Sequence, residues 1–346
     1  MYFKVPCLLL FTIVAKAFSQ ATKEISAEAA ALTGQKLVDY INSLGTTWTA
    51  TFENRFRSVP RERFVSFLGQ IDDPSIDLSN FGQPLTSRAH IKLPEHFDAR
   101  EKWPECKSIR TITDQSSCGN CWAVSSASAI SDRICIGSHG KKQVIISAQD
   151  LTSCCPFCGA GCFGGDMRTA FHYYARYGIV SGGAYNDNET CRPYPFAPCD
   201  HDVTPGKYPE CPDTYSETPK CERKCVNGSK IEYEKDRHYG VYPFSVHGED
   251  AMMKEIYVNG PVASRFLVFE DYFYYKSGIY QHVGGGEPIS GHAVRIIGWG
   301  VENGTKYWLI ANSWNEDWGE KGLFRMLRGT SHLKIELFAG CALPKL

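Results

Sequence analysis

Three stretches of the sequence hold residue types that acyl-transfer chemistry needs. In DQSSCGNCWAVSSASAISDRIC (114–135), Val124, Ala127, Ile130 and Ile134 recur at helical spacing after Cys121. That pattern predicts a helix with Cys121 in its first turn, where the positive end of the helix dipole favours the nucleophilic thiolate. Cys118 lies three residues earlier, so a CxxC redox couple is a second reading of the same stretch. In ISGHAVRIIGWG, His292 follows a glycine and opens an apolar strand, which can turn its ring toward a cleft wall. A lone histidine in such a place is more often structural. In LIANSWNEDWGE, Asn312 stands among Trp308, Trp314 and Trp318. An asparagine there can accept a hydrogen bond from an imidazole and fix its tautomer, while a tryptophan keeps water off that bond. The three together supply a nucleophile, a base and a group that orients the base.

These side chains need a frame to hold them. Residues 93–240 carry thirteen cysteines, many glycines and the helix after Cys121, and predict a mainly helical, disulfide-laced half. Residues 241–346 carry one cysteine, Cys341, with many aromatic and β-branched residues, and predict a mainly β half. HAVRIIGWG and KYWLIANSW read as buried strands joined by Val301 to Thr305, with Asn303-Gly304 as the hairpin signal. A cleft between the halves is expected. Residues 20–92 lack cysteine. Within them, Ala31, Leu37, Tyr40 and Ile41 predict a helix over 24–44, a basic stretch runs from Arg55 to Arg63, and 69–92 reads as a loose linker. A cysteine-free leader before a disulfide-rich body reads as a removable pro-segment.

Residues 1–19 read as a secretory signal: Lys4, an apolar run from Val5 to Val14, then Ala17-Phe18-Ser19 before a cut. About ten apolar residues fall short of the ~20 that a membrane span needs. Cys7 leaves with that leader, and the remaining fourteen cysteines fit an oxidising compartment. Asn188, Asn227 and Asn303 open glycosylation sequons. The net charge of −1 over 346 residues points away from nucleic acid or an anionic membrane as main partner. No metal or cofactor is expected.

QSSCGNCWA, SGHAVRI and ANSWNEDWG resemble the three active-site blocks of the papain-like cysteine proteases, in the family's order. The likeness is greatest to the cathepsin B branch. It runs from Thr46-Thr47-Trp48 through LPEHFDAREKWPEC to about Glu336, most of the chain. It implies an α+β, papain-like two-domain fold behind an N-terminal pro-segment that lies through the cleft, inhibits the enzyme and is removed near 87–93. It implies Cys121 as nucleophile, His292 as base and later acid, and Asn312 as the orienting residue. Gln115 would give the side-chain donor of the oxyanion hole. Gly164 and Gly165 would pair with an extended peptide, and Trp314 would flank the primed side. It also implies the disulfides Cys106–Cys135, Cys118–Cys162, Cys154–Cys221, Cys155–Cys158, Cys191–Cys225 and Cys199–Cys211. Cys118 then has a partner other than Cys121, and the cysteines of CCPFCGAGC are unavailable to zinc. A catalytically silent binding protein on the same fold is the alternative, opposed by the intact Gln115, Cys121, His292 and Asn312.

The resemblance makes 199–211 an occluding loop that caps the primed end and directs removal of C-terminal dipeptides. Of two adjacent histidines expected there, His201 is present and Asp202 replaces the second. An aspartate would repel a terminal carboxylate. Asp114 is expected to hold His201. Tyr208 replaces an arginine that tethers the loop to the position of Asp317, and Lys207 is adjacent. The expectation is weakened carboxydipeptidase and stronger endopeptidase activity. Other departures are Asp166 and Met167 after the paired glycines, Arg265 in place of a small S2 residue, and a shortened KIELFAG in which Glu336 has no assigned role. YWLIANSWNEDWGE resembles a variant in cathepsin B-like proteases of blood-feeding worms, which implies digestion of host blood proteins in a gut lumen. The expected product is a monomeric, secreted or lysosomal protease acting on proteins and peptides. Its inhibition by the pro-segment should weaken in acid, as carboxylates paired with Arg55–Arg63 take up protons.

Overall fold

A computed structural model of the protein describes residues 25–71, 90–200, 207–212, 214–226, 228–337 and 339–346. The expected leader, most of the linker, His201, Asp202 and Asn227 lie outside these residues. In chain order the helices are α1 (Ala27–Ala30), α2 (Gly34–Ser43), α3 (Ala99–Lys102), α4 (Cys121–Gly137), α5 (Ala148–Cys154), α6 (Met167–Tyr177), α7 (Glu249–Asn259) and α8 (Glu270–Phe273). The strands are β1 (Trp48–Ala50), β2 (Phe97–Asp98), β3 (Gly240–Val246), β4 (Val262–Val268), β5 (Tyr275–Tyr280), β6 (Ser290–Glu302), β7 (Thr305–Ala311), β8 (Leu323–Leu327) and β9 (Ala339–Pro344).

α4 is the axis of the helical half. Fifteen of its seventeen residues are buried. The sequence pattern predicted one apolar face, but a helix buried all round results because its other faces are small or paired. Ser126 and Ser131 return their hydroxyls to the carbonyls of Trp122 and Ala127, each at 2.7 Å. Asp132 pairs with Arg295 of β6 at 2.8 Å, and Arg133 with Glu255 of α7 at 2.9 Å. Both ion pairs are buried and join the helix to the β half. Losing one partner of such a pair costs roughly 3–5 kcal/mol, because a charge is left stranded.

The sheet runs β1-β5-β8-β7-β6-β4-β9-β3, with β2 beside β6. β6 and β7 form the expected hairpin, turning through Asn303 (φ 50°) and Gly304 (φ 79°) with Glu302 opposite Thr305. Both turn residues sit in the left-handed region, which Asn-Gly supplies at little cost. Phe97 and Trp299 pair across β2 and β6, so the start of the helical half lies on the β half.

The N-terminal segment departs from its sequence pattern. The single helix expected over 24–44 is two, broken at Leu32 and Thr33 before Gly34 (φ 56°). Leu37, Val38 and Ile41 are buried, while Ala31 is exposed. β1 adds to the sheet by pairing antiparallel with β5. Phe56 and Phe64 then pack on Phe273 and Trp314, with Phe64 stacked 4.2 Å from Phe273 and Phe56 5.5 Å from Trp314, and Phe67 meets Phe56 edge-on at 5.4 Å. Each buried phenyl contributes about 1.5–3 kcal/mol.

Candidate active site

Cys121 is the first residue of α4 and is fully buried. Its Sγ accepts the N–H of Ala293 at 3.3 Å. His292 is the residue before Ala293 on β6. Phe266 opposite on β4 meets the imidazole edge-on at 5.9 Å, and Trp314 stacks on it at 5.1 Å. His292 Nε2 lies 2.8 Å from Asn312 Oδ1. An amide oxygen only accepts, so Nε2 carries the proton and Nδ1 of the neutral ring is a bare acceptor. That Nδ1 is buried with no hydrogen-bond partner among the described residues. Asn312 Oδ1 also accepts the N–H of Ser313 at 2.8 Å, which fixes the amide.

Gln115 is buried between these elements. Its Oε1 accepts from Ser313 Oγ at 2.5 Å, leaving Nε2 to donate to the carbonyls of Cys118 at 2.9 Å and Phe67 at 3.2 Å. Trp314 Nε1 donates to the same Phe67 oxygen at 3.2 Å. Tyr194 pins the backbone here, its single hydroxyl proton shared between the carbonyl of Gln115 at 2.9 Å and Asn120 Oδ1 at 3.0 Å.

Gly69 to Ile71, expected as linker, instead lie in the cleft. Gly165 donates to the carbonyl of Gly69 and accepts from Ile71, both at 2.9 Å. Gln70 donates to the carbonyl of Gly291 at 3.0 Å on the other wall. The fit is backbone on backbone. A Cβ on Gly69 would stand 1.8 Å from the carbonyl oxygen of Gly119, and one on Gly165 would meet Cys158 O at 2.5 Å. Gly164, at φ 112°, lies under the Ile71 side chain.

This cover changes the electrostatics expected from the sequence. Burial pushes the Cys121 thiol up to about 12, against hydrogen bonds from backbone N–H groups that act in the other direction. Burial likewise lowers His292 to about 4, opposed by its bond to Asn312. In the covered state the two groups are a neutral thiol and a neutral imidazole, because desolvation outweighs the hydrogen bonds that oppose it.

Six disulfides join Cys106–Cys135, Cys118–Cys162, Cys154–Cys221, Cys155–Cys158, Cys191–Cys225 and Cys199–Cys211, and Cys121 and Cys341 are free and buried. Cys118 is bonded away from Cys121, which removes the redox couple, and the cysteines of CCPFCGAGC are all oxidised.

The chain belongs to the papain family of cysteine proteases. The family model for papain family cysteine proteases matches residues 93–342. The chain is 44% identical over 329 residues to cathepsin B-like cysteine proteinase 6 of Caenorhabditis elegans, covering 94% of this chain and 86% of that protein. It is 45% identical over 305 residues to a cathepsin B-like cysteine proteinase of Schistosoma japonicum, covering 87% and 88%. Among solved structures, procathepsin B S9 from Trypanosoma congolense superposes with a TM-score of 0.78 at 38% identity, covering 92% of this chain and all of that one. The protein is thus a cathepsin B-like protease in its pro-form, with a pro-segment ahead of the family match.

The base of the cysteine loop is tied on two sides. Asp114 Oδ2 accepts the N–H of Cys199 at 2.9 Å, and Asn315 Nδ2 donates to the Cys199 carbonyl at 2.7 Å. From the pro-segment, Arg55 donates to the carbonyl of Asp200 at 2.6 Å. The Lys207 ammonium stands 5.0 Å from the ring of Tyr208. Of the basic stretch, Arg61 pairs with buried Glu270 at 2.9 Å, whereas Arg57 pairs with Glu53 inside the pro-segment. Glu336 is a buttress: it accepts from Trp308 Nε1 at 2.9 Å and from the N–H groups of Gly329 and Ser331. Asp166 caps α6 and grips Arg168 through both oxygens. Ser313, Tyr194 and the Phe67–Gln70 cover were not found from sequence. Their roles depend on distant partners and leave no local pattern.

Proposed function

We propose that the mature chain hydrolyses peptide bonds with Cys121 as nucleophile, His292 as general base and acid, and Asn312 as the residue that orients the imidazole. The bare His292 Nδ1, with Nε2 committed to Asn312 and the adjacent Ala293 N–H on Cys121 Sγ, is the observation that carries this reading. Once the pro-segment leaves, water reaches the pair and the helix dipole again favours the thiolate. Nδ1 takes the thiol proton and the sulfur attacks the scissile carbonyl carbon. The carbonyl electron pair moves onto oxygen, which Gln115 Nε2 and the backbone N–H of Cys121 receive. The C–N bond breaks as His292 returns its proton to the leaving amine. A water then attacks the thioester, gives a proton back through His292, and releases the carboxylate and the thiol.

The substrates on this reading are extended peptides held by the backbone of Gly164 and Gly165, with Trp314 on the primed side. The pro-segment, running to about residue 92, is the inhibitor. Residues 93–240 and 241–346 form the two walls. The protease is a monomer exported through the 1–19 signal to a secreted or lysosomal compartment, with digestion of blood proteins in a gut lumen as its setting. No helix among the described residues is long and apolar enough to cross a membrane.

The finer activity follows from the loop. Asp202 stands where a second carboxylate-receiving histidine is expected beside His201, and like charges repel. The enzyme is therefore an endopeptidase with weakened carboxydipeptidase action. The test compares one peptide as free acid and as amide, using matured protein and a Cys121→Ala control. Equal cleavage of both forms, abolished in the control, is expected. A strong preference for the free acid with release of dipeptides overturns the endopeptidase reading. Undiminished cleavage by Cys121→Ala overturns the nucleophile.

A further inference from the structure

One buried hydroxyl meets both residues from which the oxyanion donors are set. Tyr194 lies between Cys191 and Cys199, each held by a disulfide, and is 5% exposed. Its Oη stands 2.9 Å from the Gln115 carbonyl oxygen and 3.0 Å from Asn120 Oδ1. Both oxygens are acceptors, so one phenolic proton ties them together. Asn120 Nδ2 donates to Thr152 Oγ1 at 2.8 Å, and that hydroxyl donates to the Ala148 carbonyl at 2.7 Å. The buried Asn120 amide is therefore gripped at both ends, its oxygen by Tyr194 and its nitrogen by Thr152.

Asn120 is the N-cap residue of α4. Asparagine is among the best caps, because its side-chain oxygen can accept the N–H of the second or third helical residue. Here it makes no such bond. Only its main-chain carbonyl serves the helix, accepting from Ala123 at 2.8 Å and from Val124 at 3.0 Å. The side chain is drawn off to Tyr194 and Thr152 instead. The N–H groups of Trp122 and Cys121 are left to act on the Cys121 sulfur. An amide oxygen swung onto that first turn would compete with the thiolate, and with a substrate oxyanion, for the same donors. On its other side Tyr194 fixes the main chain of Gln115, whose N–H donates to the Ser313 carbonyl at 2.9 Å.

We propose that Tyr194 is a positioning residue for the hydrolysis. Its hydroxyl holds the Gln115 peptide and keeps the Asn120 amide off the first turn of α4, so that the Gln115 amide and the Cys121 N–H stay open to the developing oxyanion. It acts through those two residues. The inference rests on the reading of Cys121 as nucleophile and Gln115 as oxyanion donor.

The experiment uses matured enzyme, with active sites counted by an irreversible active-site-directed thiol reagent so that rates refer to competent molecules alone. Tyr194→Phe keeps the ring and removes the proton. Its kcat should fall about tenfold or more while KM stays within about twofold, as expected when a transition-state contact is loosened. The pH midpoint of Cys121 alkylation by iodoacetamide should rise, because Asn120 Oδ1 then takes a donor from the sulfur. Thr152→Val removes the other grip on the amide and should give the same two changes, smaller, which keeps the test intact if Tyr194→Phe does not fold. In an Asn120→Ala background there is no amide to swing, and Tyr194→Phe should leave the midpoint in place. A loosened fold would lower the active fraction without moving that midpoint. If Tyr194→Phe and Thr152→Val both keep the wild-type kcat and midpoint, or if the midpoint moves as far without the Asn120 amide as with it, the positioning role is wrong. Gln115→Ala and Cys121→Ala test the reading beneath. Undiminished cleavage by either removes that reading, whereas a fall in both with Tyr194→Phe unaffected removes the Tyr194 inference alone.

Discussion

The carbonyl oxygen of Phe67 lies 3.2 Å from Gln115 Nε2. The donor expected to receive the substrate's developing oxyanion is thus occupied, in the pro-form, by a main-chain oxygen of the pro-segment. Trp314 Nε1 grips the same oxygen. No side-chain substitution removes a carbonyl, but its placement depends on Gly69, two residues on. A Cβ at Gly69 would stand 1.8 Å from the backbone oxygen of Gly119 and force the segment off the cleft. Gly69→Ala should therefore give a leaky zymogen. The check is the rate of iodoacetamide labelling of Cys121 in the pro-form at pH 7, with Cys121→Ala as blank. A roughly tenfold or greater rise is expected from even ~1.4 kcal/mol of lost closure. Unchanged labelling would show that Gly69 tolerates the methyl and that the cover is held elsewhere.

Thiol reactivity should also separate the two states of the wild-type chain. With Cys121 raised to about 12 and His292 lowered to about 4, the pro-form holds neither thiolate nor imidazolium between pH 5 and 8. Its alkylation rate should stay low and flat across that range. After removal of the pro-segment both groups regain solvent, and the rate should rise and show an inflection. A pro-form profile that matches the mature one would mean that burial does not control the sulfur.

Gln115 and Ser313 form a two-residue unit, because the Ser313 hydroxyl holds Gln115 Oε1 and so aims Nε2. Gln115→Ala should lower kcat by about 10²–10³ while changing KM little, as expected for a donor that acts on the transition state. Ser313→Ala should give a smaller fall of the same kind, since the amide remains but can turn. A KM effect without a kcat effect would place Gln115 in ground-state binding instead.

Much of this site was legible in the sequence because its parts sit in strong local signals. Cys121 opens a helix, His292 opens a strand, and Asn303-Gly304 sets the hairpin that brings Asn312 back beside His292. The Asn312 bond to His292 follows from that register. What could not be read depends on partners far away in the chain. Gly69 and Gln70 look like linker until Gly119, Gly165 and Gly291 close on them. Glu336 has no role that the sequence assigns until the N–H groups of Gly329 and Ser331 turn it inward. The face pattern of α4 gave no warning that Asp132 and Arg133 would be buried, because the matching charges, Arg295 and Glu255, lie more than a hundred residues on.

The last prediction concerns acid. The loop after β5 holds the pro-segment: the Gln281 carbonyl accepts from Trp48 Nε1 at 2.9 Å, Gly285 donates to the Ala29 carbonyl at 3.3 Å, and the Glu287 carbonyl accepts from Arg61 at 3.2 Å. At its base the N–H of His282 donates to His332 Nε2 at 3.0 Å, so that nitrogen must be unprotonated. Burial lowers His332 to about 4, helped by the neighbouring His282 and opposed by Asp271, which itself accepts from Tyr280 and the Val283 N–H and meets His282 at 3.0 Å. A histidine depressed in the folded state contributes stability that is fully present above its unfolded value near 6.5. That stability is lost as pH falls toward 4, and amounts to about 3 kcal/mol at most. The Tm of the pro-form should therefore drop between pH 6.5 and 4, and the pro-segment should loosen over the same window. His332→Gln offers an oxygen acceptor that does not titrate, and should flatten the Tm profile and slow acid activation. A variant whose Tm falls with pH as steeply as wild type would remove His332 from the acid response.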